Sequence, residues 1–236
     1  KRTAMADGIP VFQPGTLRDA AQAENIRALA PELIVVVAYG RILPPEVLAI
    51  PQYGCINLHV SLLPRYRGAA PVQWAVINGE KTTGVSIMYL NEGLDTGDIL
   101  RVSPVEIGDN ETSGELFERI TQEGVRTLLA AMEDIAAGTA QARPQKDAEA
   151  TLAPPLTKEQ AHFGFDAPAR RLHDLIRGLN PWPVAYFEYG GKKVKVLRTL
   201  CDDAAAGAPG EILSTKPLKV ACASGALTLL EVVPEG

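Results

Sequence analysis

The sequence predicts two structural parts, an α/β domain with a mostly parallel sheet and, after it, a small β-barrel domain. Strand-like apolar runs alternate with helical patterns up to about residue 136, which is typical of an α/β domain. A polar stretch with three prolines follows at 138–159 and indicates an exposed, semi-extended linker. Beyond it, one helical pattern precedes several short strand patterns separated by turn residues, as in a small barrel.

The first part opens with a helical pattern at 17–29. Residues 33–40 then form a continuous apolar, β-branched run, which predicts a strand covered on both faces. Three further strand patterns follow at 55–61, 84–90 and 99–107. A long helix comes next, and either Thr112 or Ser113 can serve as its N-cap. Five apolar residues form a stripe on one face of that helix: Leu116, Ile120, Leu128, Met132 and Ile135.

The second part combines one helix with short strands. The helical pattern at 168–179 places its apolar residues on one face, with Gly178 near its end. The sequences AYFEY and KKVKVLRTL flank Gly190 and Gly191, which indicates a β-hairpin. We therefore predict domains at 1–137 and 159–236, joined by a linker at 138–158.

Composition excludes several classes of protein. The chain has 236 residues, 46% hydrophobic and 22% charged, as in a globular protein, and no apolar run is long enough to span a membrane. Its three cysteines argue against a disulfide framework and against thiolate zinc sites. The net charge of −5 argues against nucleic acid binding. That charge is unevenly distributed, however, because residues 157–199 carry eight basic side chains and four acidic ones.

The residues with the clearest chemical potential lie at 56–100. Asn57 and His59 are two apart on a predicted strand, so their side chains share a face. Asp95 lies in a glycine-flanked loop after the next strand, from which it can reach the same edge. An amide that donates to an oxyanion, an imidazole and a carboxylate suit acyl transfer without a covalent intermediate. No serine or cysteine is placed as an obvious nucleophile.

Two other interpretations of these residues stay open at this point. Asn57 and His59 can form a purely structural pair that ties a strand end to a loop by hydrogen bonds. The tetrapeptide Leu-Asp-Thr-Gly at 94–97 also matches the active site of aspartic proteases. That chemistry needs two carboxylates that share a proton, so a single copy would require a symmetric dimer.

The block NLHVSLLPRYRGAAP at 57–71, together with GLDTGD at 93–98, resembles the signature of folate-dependent formyltransferases. The resemblance implies a doubly wound, Rossmann-like α/β domain and a catalytic trio of Asn57, His59 and Asp95. It also implies a tetrahydrofolate site with apolar walls. The implied residues of that site are Ser61, Leu62, Leu63, Pro64, Ile42, Leu43, Leu48 and Leu94.

The segments LTKEQAHF at 156–163 and LHDLIRGLNPWPVA at 172–185 resemble the carboxy-terminal region of methionyl-tRNA formyltransferases. Such enzymes transfer a formyl group from 10-formyltetrahydrofolate to initiator methionyl-tRNA in translation initiation. The resemblance thus implies an OB-like tRNA-binding barrel and a cytoplasmic monomer without a metal or a membrane partner. We expect tRNA contacts from Arg65, Arg67, Lys192, Lys193 and Lys195. Four further arginines belong to the same basic stretch: Arg170, Arg171, Arg177 and Arg198.

The resemblance leaves three alternatives and shows some departures. The acceptor can instead be a nucleotide amino-sugar, or water in a formyltetrahydrofolate hydrolase, and the chain can be a non-catalytic folate- or RNA-binding protein. Val60 stands where the family usually has a small residue or proline, and Phe165 where a tryptophan is common. The family's opening strand, Gly-Thr-Pro turn and basic loop are not found before the first strand pattern. We therefore expect this sequence to represent most of an enzyme.

Overall fold

The computed structural model describes residues 1–235, so Gly236 of the second predicted domain lies outside the described chain. Two short 3₁₀ turns lie at Asp147–Glu149 and Lys158–Ala161. The helices are α1 (Arg2–Ala6), α2 (Ala20–Ala28), α3 (Pro45–Leu48), α4 (Pro71–Ile77), α5 (Ser113–Ala136) and α6 (Ala169–Gly178). The strands are β1 (Ile34–Val37), β2 (Cys55–His59), β3 (Arg67–Gly68), β4 (Thr82–Tyr89), β5 (Ile99–Glu106), β6 (Leu152–Ala153), β7 (Tyr186–Tyr189), β8 (Lys192–Asp202), β9 (Ile212–Thr215), β10 (Leu218–Ala221) and β11 (Ala226–Pro234).

A four-stranded sheet in the order β1-β2-β4-β5 forms the centre of the first part. The predicted α/β class is confirmed, but the sheet is mixed rather than mostly parallel. Strands β1 and β2 are parallel, whereas β4 runs antiparallel to β2 and β5 antiparallel to β4. The connection from β4 to β5, residues 90–98, is too short for the crossover that a parallel pair requires.

The side chains of β2 point alternately to the two faces of this sheet. One face is covered by helix α5, and the other bears the polar residues. Ile56 is fully buried in one cluster with Leu116 and Ile120 of α5, and Leu58 contacts the same helix at Gly124. Because successive side chains of a strand point to opposite faces, Asn57 and His59 lie on the face away from α5.

The expectation that the first strand is covered on both faces is wrong for β1. Val35 is 36% exposed and Val37 54% exposed, and both line a groove of about 380 Å³. In the described residues, no buried apolar cluster includes Val35 or Val37, and β1 also lies at the edge of the sheet, beside β2 alone. Within residues 1–235, the apolar cluster around Val47 covers the other face, which includes Val36.

Helix α5 begins as the sequence predicts, with Thr112 as its N-cap. The hydroxyl of Thr112 accepts from the backbone N–H of Glu115, and the Glu115 carboxylate accepts from the backbone N–H of Thr112. This reciprocal pair is a capping box, which satisfies two N–H groups that the helix end would otherwise leave free. Arg198 of the second part also binds Glu115, and together with Thr112 it lowers the pKa of that carboxyl to about 2.

An antiparallel sheet in the order β7-β8-β11-β10-β9 forms the second part, and it curls into a half-barrel of the predicted OB-like kind. Helix α6 packs against this sheet through Leu172, Ile176 and Leu179, all of which are buried. The predicted hairpin joins β7 to β8, and the φ angles of Gly190 and Gly191 are 58° and 76°. Positive φ at both central residues is what a tight hairpin turn requires.

The two parts meet in a buried polar junction between α6 and the loop before α5. The guanidinium of Arg177, which is 4% exposed, donates to Asp174 and to the carbonyls of Gly108 and Glu111. Helix α6 also packs against α4, where Gly178 lies so close that a Cβ there would be 2.4 Å from Ile77. The contact surface is therefore closely packed as well as hydrogen-bonded.

The predicted linker is mostly exposed, yet part of it is hydrogen-bonded to the first part. We call residues 143–154 the crossing segment. Its strand β6 pairs in parallel with β3, Arg143 forms a bridge with Ile99, and the indole N–H of Trp74 donates to the Pro154 carbonyl at 2.8 Å. Main-chain groups and one indole make these contacts, which leave no hydrophobic period in the sequence and were therefore not predicted.

His173 is the buried histidine of the junction. Its imidazole is 1% exposed, and Nε2 lies 3.0 Å from the carbonyl oxygen of Asp109. Burial lowers the pKa of His173 below its ordinary value, and the hydrogen bond to Asp109 acts in the opposite direction. Among the charged neighbours, Arg177 and Arg170 lower this pKa and Asp174 raises it.

Acid should therefore destabilise the chain through His173. An unfolded histidine titrates at about pH 6.5, and the folded one at a lower pH, so the unfolded chain binds more protons. This contribution to stability is present above about pH 6.5 and is lost as the pH falls towards the folded pKa. In His173→Gln we expect a shallower decline of the unfolding free energy below about pH 6.5, measured by urea unfolding. His162→Gln, at an exposed position, is the matched control, and equal slopes for His173→Gln and wild type would contradict the prediction.

Candidate active site

Asn57 and His59 lie two residues apart on β2 and face the same side of the sheet, as their spacing predicts. The side chain of Asn57 is half-buried, and its amide forms no hydrogen bond with another residue of the described chain. A free amide on an otherwise packed sheet face can donate to a ligand oxygen. His59, which ends the strand, is 5% exposed.

The two ring nitrogens of His59 have different partners. Nε2 lies 2.9 Å from the backbone oxygen of Tyr66, and because a carbonyl can only accept, Nε2 is the donor. Nδ1 lies 3.6 Å from Oδ2 of Asp95. Burial lowers the pKa of His59, while the charge of Asp95 and the hydrogen bond to Tyr66 act in the opposite direction. Nδ1 is therefore the nitrogen that is able to take up and release a proton.

The loop at 90–98 brings Asp95 over this sheet face. The φ of Asp95 is 52°, in the left-handed region, and its Oδ2 accepts from the backbone N–H of Gly68 at 2.8 Å. Gly97 lies so close to the end of β4 that a Cβ there would be 1.8 Å from the carbonyl oxygen of Tyr89. Because β4 is antiparallel to β2, β4 ends beside Ile56, at the amino-terminal end of β2. The loop therefore starts at that end and folds back over the sheet towards Asn57 and His59, and does not rise from a carboxyl edge that the two strands share.

The turn at 61–66, directly after β2, positions the Tyr66 carbonyl that accepts from His59 Nε2. The Ser61 hydroxyl donates to the Arg65 carbonyl at 2.6 Å. Ser86, fully buried on β4, accepts from the N–H of Leu63 at 3.1 Å and donates to the carbonyl of Ser61 at 2.7 Å. Ser86 was not among the predicted site residues, although a serine within the apolar strand GVSIMYL was a signal for it.

The residues of the predicted folate site differ in accessibility. Ser61 is fully buried and Leu43 and Leu63 are nearly so, because Ser61 and Leu63 belong to the turn after β2 and Leu43 belongs to the core. Leu43 packs with Val47 in the cluster next to β1. The accessible residues of the predicted set are Leu48, Leu62 and Pro64, which are half-buried, and Ile42 and Leu94, which are exposed.

The two arginines beside the site differ in accessibility. Arg65 is half-exposed and forms an ion pair with Glu80. Arg67 is buried, and its guanidinium donates to the side chains of Gln145 and Asp147 at 2.8 Å each. Nε and Nη2 of Arg67 are thus bound to the crossing segment, whereas the Arg65 side chain is accessible; contact of either arginine with tRNA stays a prediction.

The arginines of the basic stretch at 157–199 already bind other groups of the chain, so fewer cations are available to a phosphate than the sequence indicates. Arg177 is buried in the junction, Arg170 pairs with Asp203, Arg198 pairs with Glu115, and Arg171 donates to the carbonyl of Ile77. Three exposed lysines of β8 remain: Lys192, Lys193 and Lys195.

Metal binding and membrane crossing are two further properties that residues 1–235 bear on. No group of three or more histidine, cysteine, aspartate or glutamate side chains is arranged to hold a metal ion there. No helix in that range has the length and apolar character that crossing a membrane requires.

The formyl transferase family model matches residues 2–132, and the model of the formyl transferase C-terminal domain matches residues 155–236. The chain belongs to the formyl transferase family. Among its curated relatives, the methionyl-tRNA formyltransferase of Caldanaerobacter subterraneus subsp. tengcongensis is 42% identical and that of Agathobacter rectalis 44% identical. Each alignment covers 100% of this chain and 77% of the relative.

Two solved structures illustrate the shared fold. An N-formyltransferase from Helicobacter canadensis, in complex with folinic acid and dTDP-3-aminofucose, superimposes with a TM-score of 0.74 at 17% identity. That alignment covers 97% of this chain and 81% of the other. HypX from Aquifex aeolicus, in complex with tetrahydrofolic acid, gives a TM-score of 0.69 at 21% identity, over 89% of this chain and 37% of the other.

Replacing Ser86 should weaken the turn that holds His59. Ser86→Ala leaves the N–H of Leu63 and the carbonyl of Ser61 without their buried partner, which typically costs about 1–3 kcal/mol. We expect a corresponding loss in the free energy of unfolding, measured with urea. Ser103→Ala on β5, where the hydroxyl is only half-buried, is the control with the same chemical change. A loss no larger than that of the control would contradict the turn's dependence on Ser86.

Proposed function

We propose that this chain transfers a formyl group from 10-formyltetrahydrofolate to the amino group of initiator methionyl-tRNA. The observation that carries the proposal is the meeting of a free Asn57 amide, His59 Nδ1 and Asp95 on one sheet face. Support for the acceptor comes from the names of relatives that are 42–44% identical over at least 98% of the chain. Formylation for translation initiation in the cytoplasm, by a monomer, belongs to the same proposal.

The accessible residues fit a folate donor. Ile42 and Leu94 are large apolar side chains exposed at 53% and 52%. Apolar walls with a few placed polar groups are what a flat aromatic ligand requires. We propose that Leu48, Leu62 and Pro64 contribute to the same site. The structures of related proteins with folinic acid and tetrahydrofolic acid support a folate ligand.

The donor, when bound, supplies an activated formyl group, and the side chains of this chain manage charge and protons around it. Asn57 donates a hydrogen bond to the formyl oxygen, which gains negative charge as the amine attacks. His59 Nδ1, the nitrogen not bound to the backbone, accepts the proton that the amine loses. Asp95 stabilises the resulting imidazolium, from which the proton passes to the departing nitrogen.

The exposed lysines of β8 are the proposed tRNA-binding surface. Lys193 and Lys195 are two residues apart on β8, so their side chains share a face of the strand. The ammonium of Lys193 lies 4.7 Å from the ring centroid of Tyr186. Exposed cations on a paired strand suit the phosphates of an RNA backbone. Lys192, the residue before Lys193 on β8, and Arg65, in the turn after β2, belong to the same proposal. The division into domains at 1–137 and 159–236 with a linker at 138–158 is also proposed, and the two family matches support it.

Removing any member of the trio should abolish most of the activity. We expect Asn57→Ala, His59→Ala and Asp95→Asn each to lower kcat by about 10²–10³. Because none of these side chains belongs to the proposed tRNA surface, binding of charged tRNA should be retained. The measurement is formyl transfer from labelled donor, with parallel reactions that contain a nucleotide amino-sugar or no acceptor.

Asp98→Asn is the matched control, since Asp98 is exposed in the same loop. Near wild-type turnover in His59→Ala and Asp95→Asn would refute the catalytic assignment. Formyl transfer to the amino-sugar or to water, with none to tRNA, would refute the proposed acceptor.

The lysine surface can be tested by salt dependence. We expect the double variant Lys193→Ala with Lys195→Ala to bind tRNA more weakly and to reduce the slope of log K against log salt by about 1–2. Lys158→Ala with Lys216→Ala removes the same charge from two other exposed positions of the second part. A slope equal to that of this control would refute a direct phosphate contact.

A further inference from the structure

Gln145 of the crossing segment joins the Asp95 loop to Arg67. Its Nε2 donates to the carbonyl oxygens of Asp95 at 2.8 Å and Gly97 at 2.7 Å. Its Oε1 accepts from Nε and Nη2 of Arg67 at 3.1 and 2.8 Å. A primary amide has two N–H donors and two acceptor lone pairs, so this side chain uses its full hydrogen-bonding capacity on three residues around the site.

These bonds close a ring around Asp95. Arg67 is followed by Gly68, whose N–H donates to the Asp95 carboxylate at 2.8 Å. Asp95 is thus held at its backbone oxygen by Gln145 and at its side chain by Gly68. Its φ of 52° is uncommon for a residue with a side chain, and such a conformation persists when the surroundings hold it.

No other side chain of the crossing segment duplicates this link in the described chain. Asp147 also accepts from Arg67, but its side chain is 84% exposed and it does not reach the Asp95 loop. Thr151 binds the other side of the site, where its hydroxyl accepts from the N–H of Tyr66 at 2.9 Å. Gln145 is therefore the side chain through which this segment orients the loop.

We propose that Gln145 is a positioning residue that holds Asp95 against His59. The inference rests on the proposed formyl transfer. The distance between His59 Nδ1 and Asp95 Oδ2 is 3.6 Å, so a small shift of the loop changes both the charge interaction and the path of the proton. Gln145 acts through Asp95 and touches no reacting atom.

The kinetic test uses Gln145→Leu and Gln145→Ala. Both are neutral, and leucine keeps most of the volume, so the chain should remain folded by circular dichroism. We expect kcat to fall roughly 10- to 100-fold, as misplaced catalytic groups typically do, while KM for charged tRNA stays near the wild-type value. Lys146→Ala is the control, because the adjacent Lys146 side chain is 78% exposed and, among residues 1–235, pairs with Glu149 alone.

The second measurement is an NMR titration of the His59 imidazole, which requires no turnover. Asp95 is the charged group that raises the pKa of His59 against the effect of burial. If Gln145 holds Asp95 in place, the pKa of His59 should move down in both variants and stay unchanged in Lys146→Ala. A purely structural role elsewhere in the chain would not move it.

The outcomes separate the two proposals. A lowered kcat together with a lowered His59 pKa supports the positioning role. An unchanged His59 pKa, or a kcat equal to that of Lys146→Ala, overturns it. Absence of formyl transfer by the wild-type chain would refute the proposed function, and the titration would still decide whether Gln145 controls the Asp95–His59 pair.

Discussion

The alternation of side chains along β2 is the constraint on which the rest of the site depends. One set of positions, which includes Ile56, is buried beneath α5, so a shift of one residue in register would expose that apolar surface to water. The same alternation places Asn57 and His59 on the opposite face. The hydrophobic core therefore fixes where the polar residues stand, and the loops around them adapt to this position.

Hydrogen bonds supplied from distant sequence complete the arrangement. Ser86 binds the turn at 61–66, whose Tyr66 carbonyl accepts from His59. In the crossing segment, Gln145 binds the loop at 90–98 and Thr151 binds the backbone N–H of Tyr66. The segment that leads to the second part thus also supports the site. Because Arg177 ties α6 to the carbonyls before α5, the two parts are joined directly as well as through this segment.

Charge shows how far composition can mislead. The net charge of −5 disfavours an RNA partner, whereas the excess of basic side chains at 157–199 favours one. Within residues 1–235, the four arginines of that stretch form ion pairs or bind carbonyls, whereas the side chains of the three β8 lysines form no ion pair. Arg67 is a similar case, since an arginine in a predicted loop turned out to be buried by partners 78 and 80 residues away. Sequence spacing holds no information about such partners.

The sequence by itself determined the two-part fold, the capped α5, the hairpin at Gly190 and Gly191, and the common face of Asn57 and His59. All of these follow from local propensity and from the period of the hydrophobic pattern. Only the tertiary structure decided the mixed direction of the sheet, the exposure of β1, the different partners of the two His59 nitrogens and the hydrogen bonds of Gln145. These depend on which distant groups meet, and a polar residue in a polar segment gives no local sign of the contact that it will make.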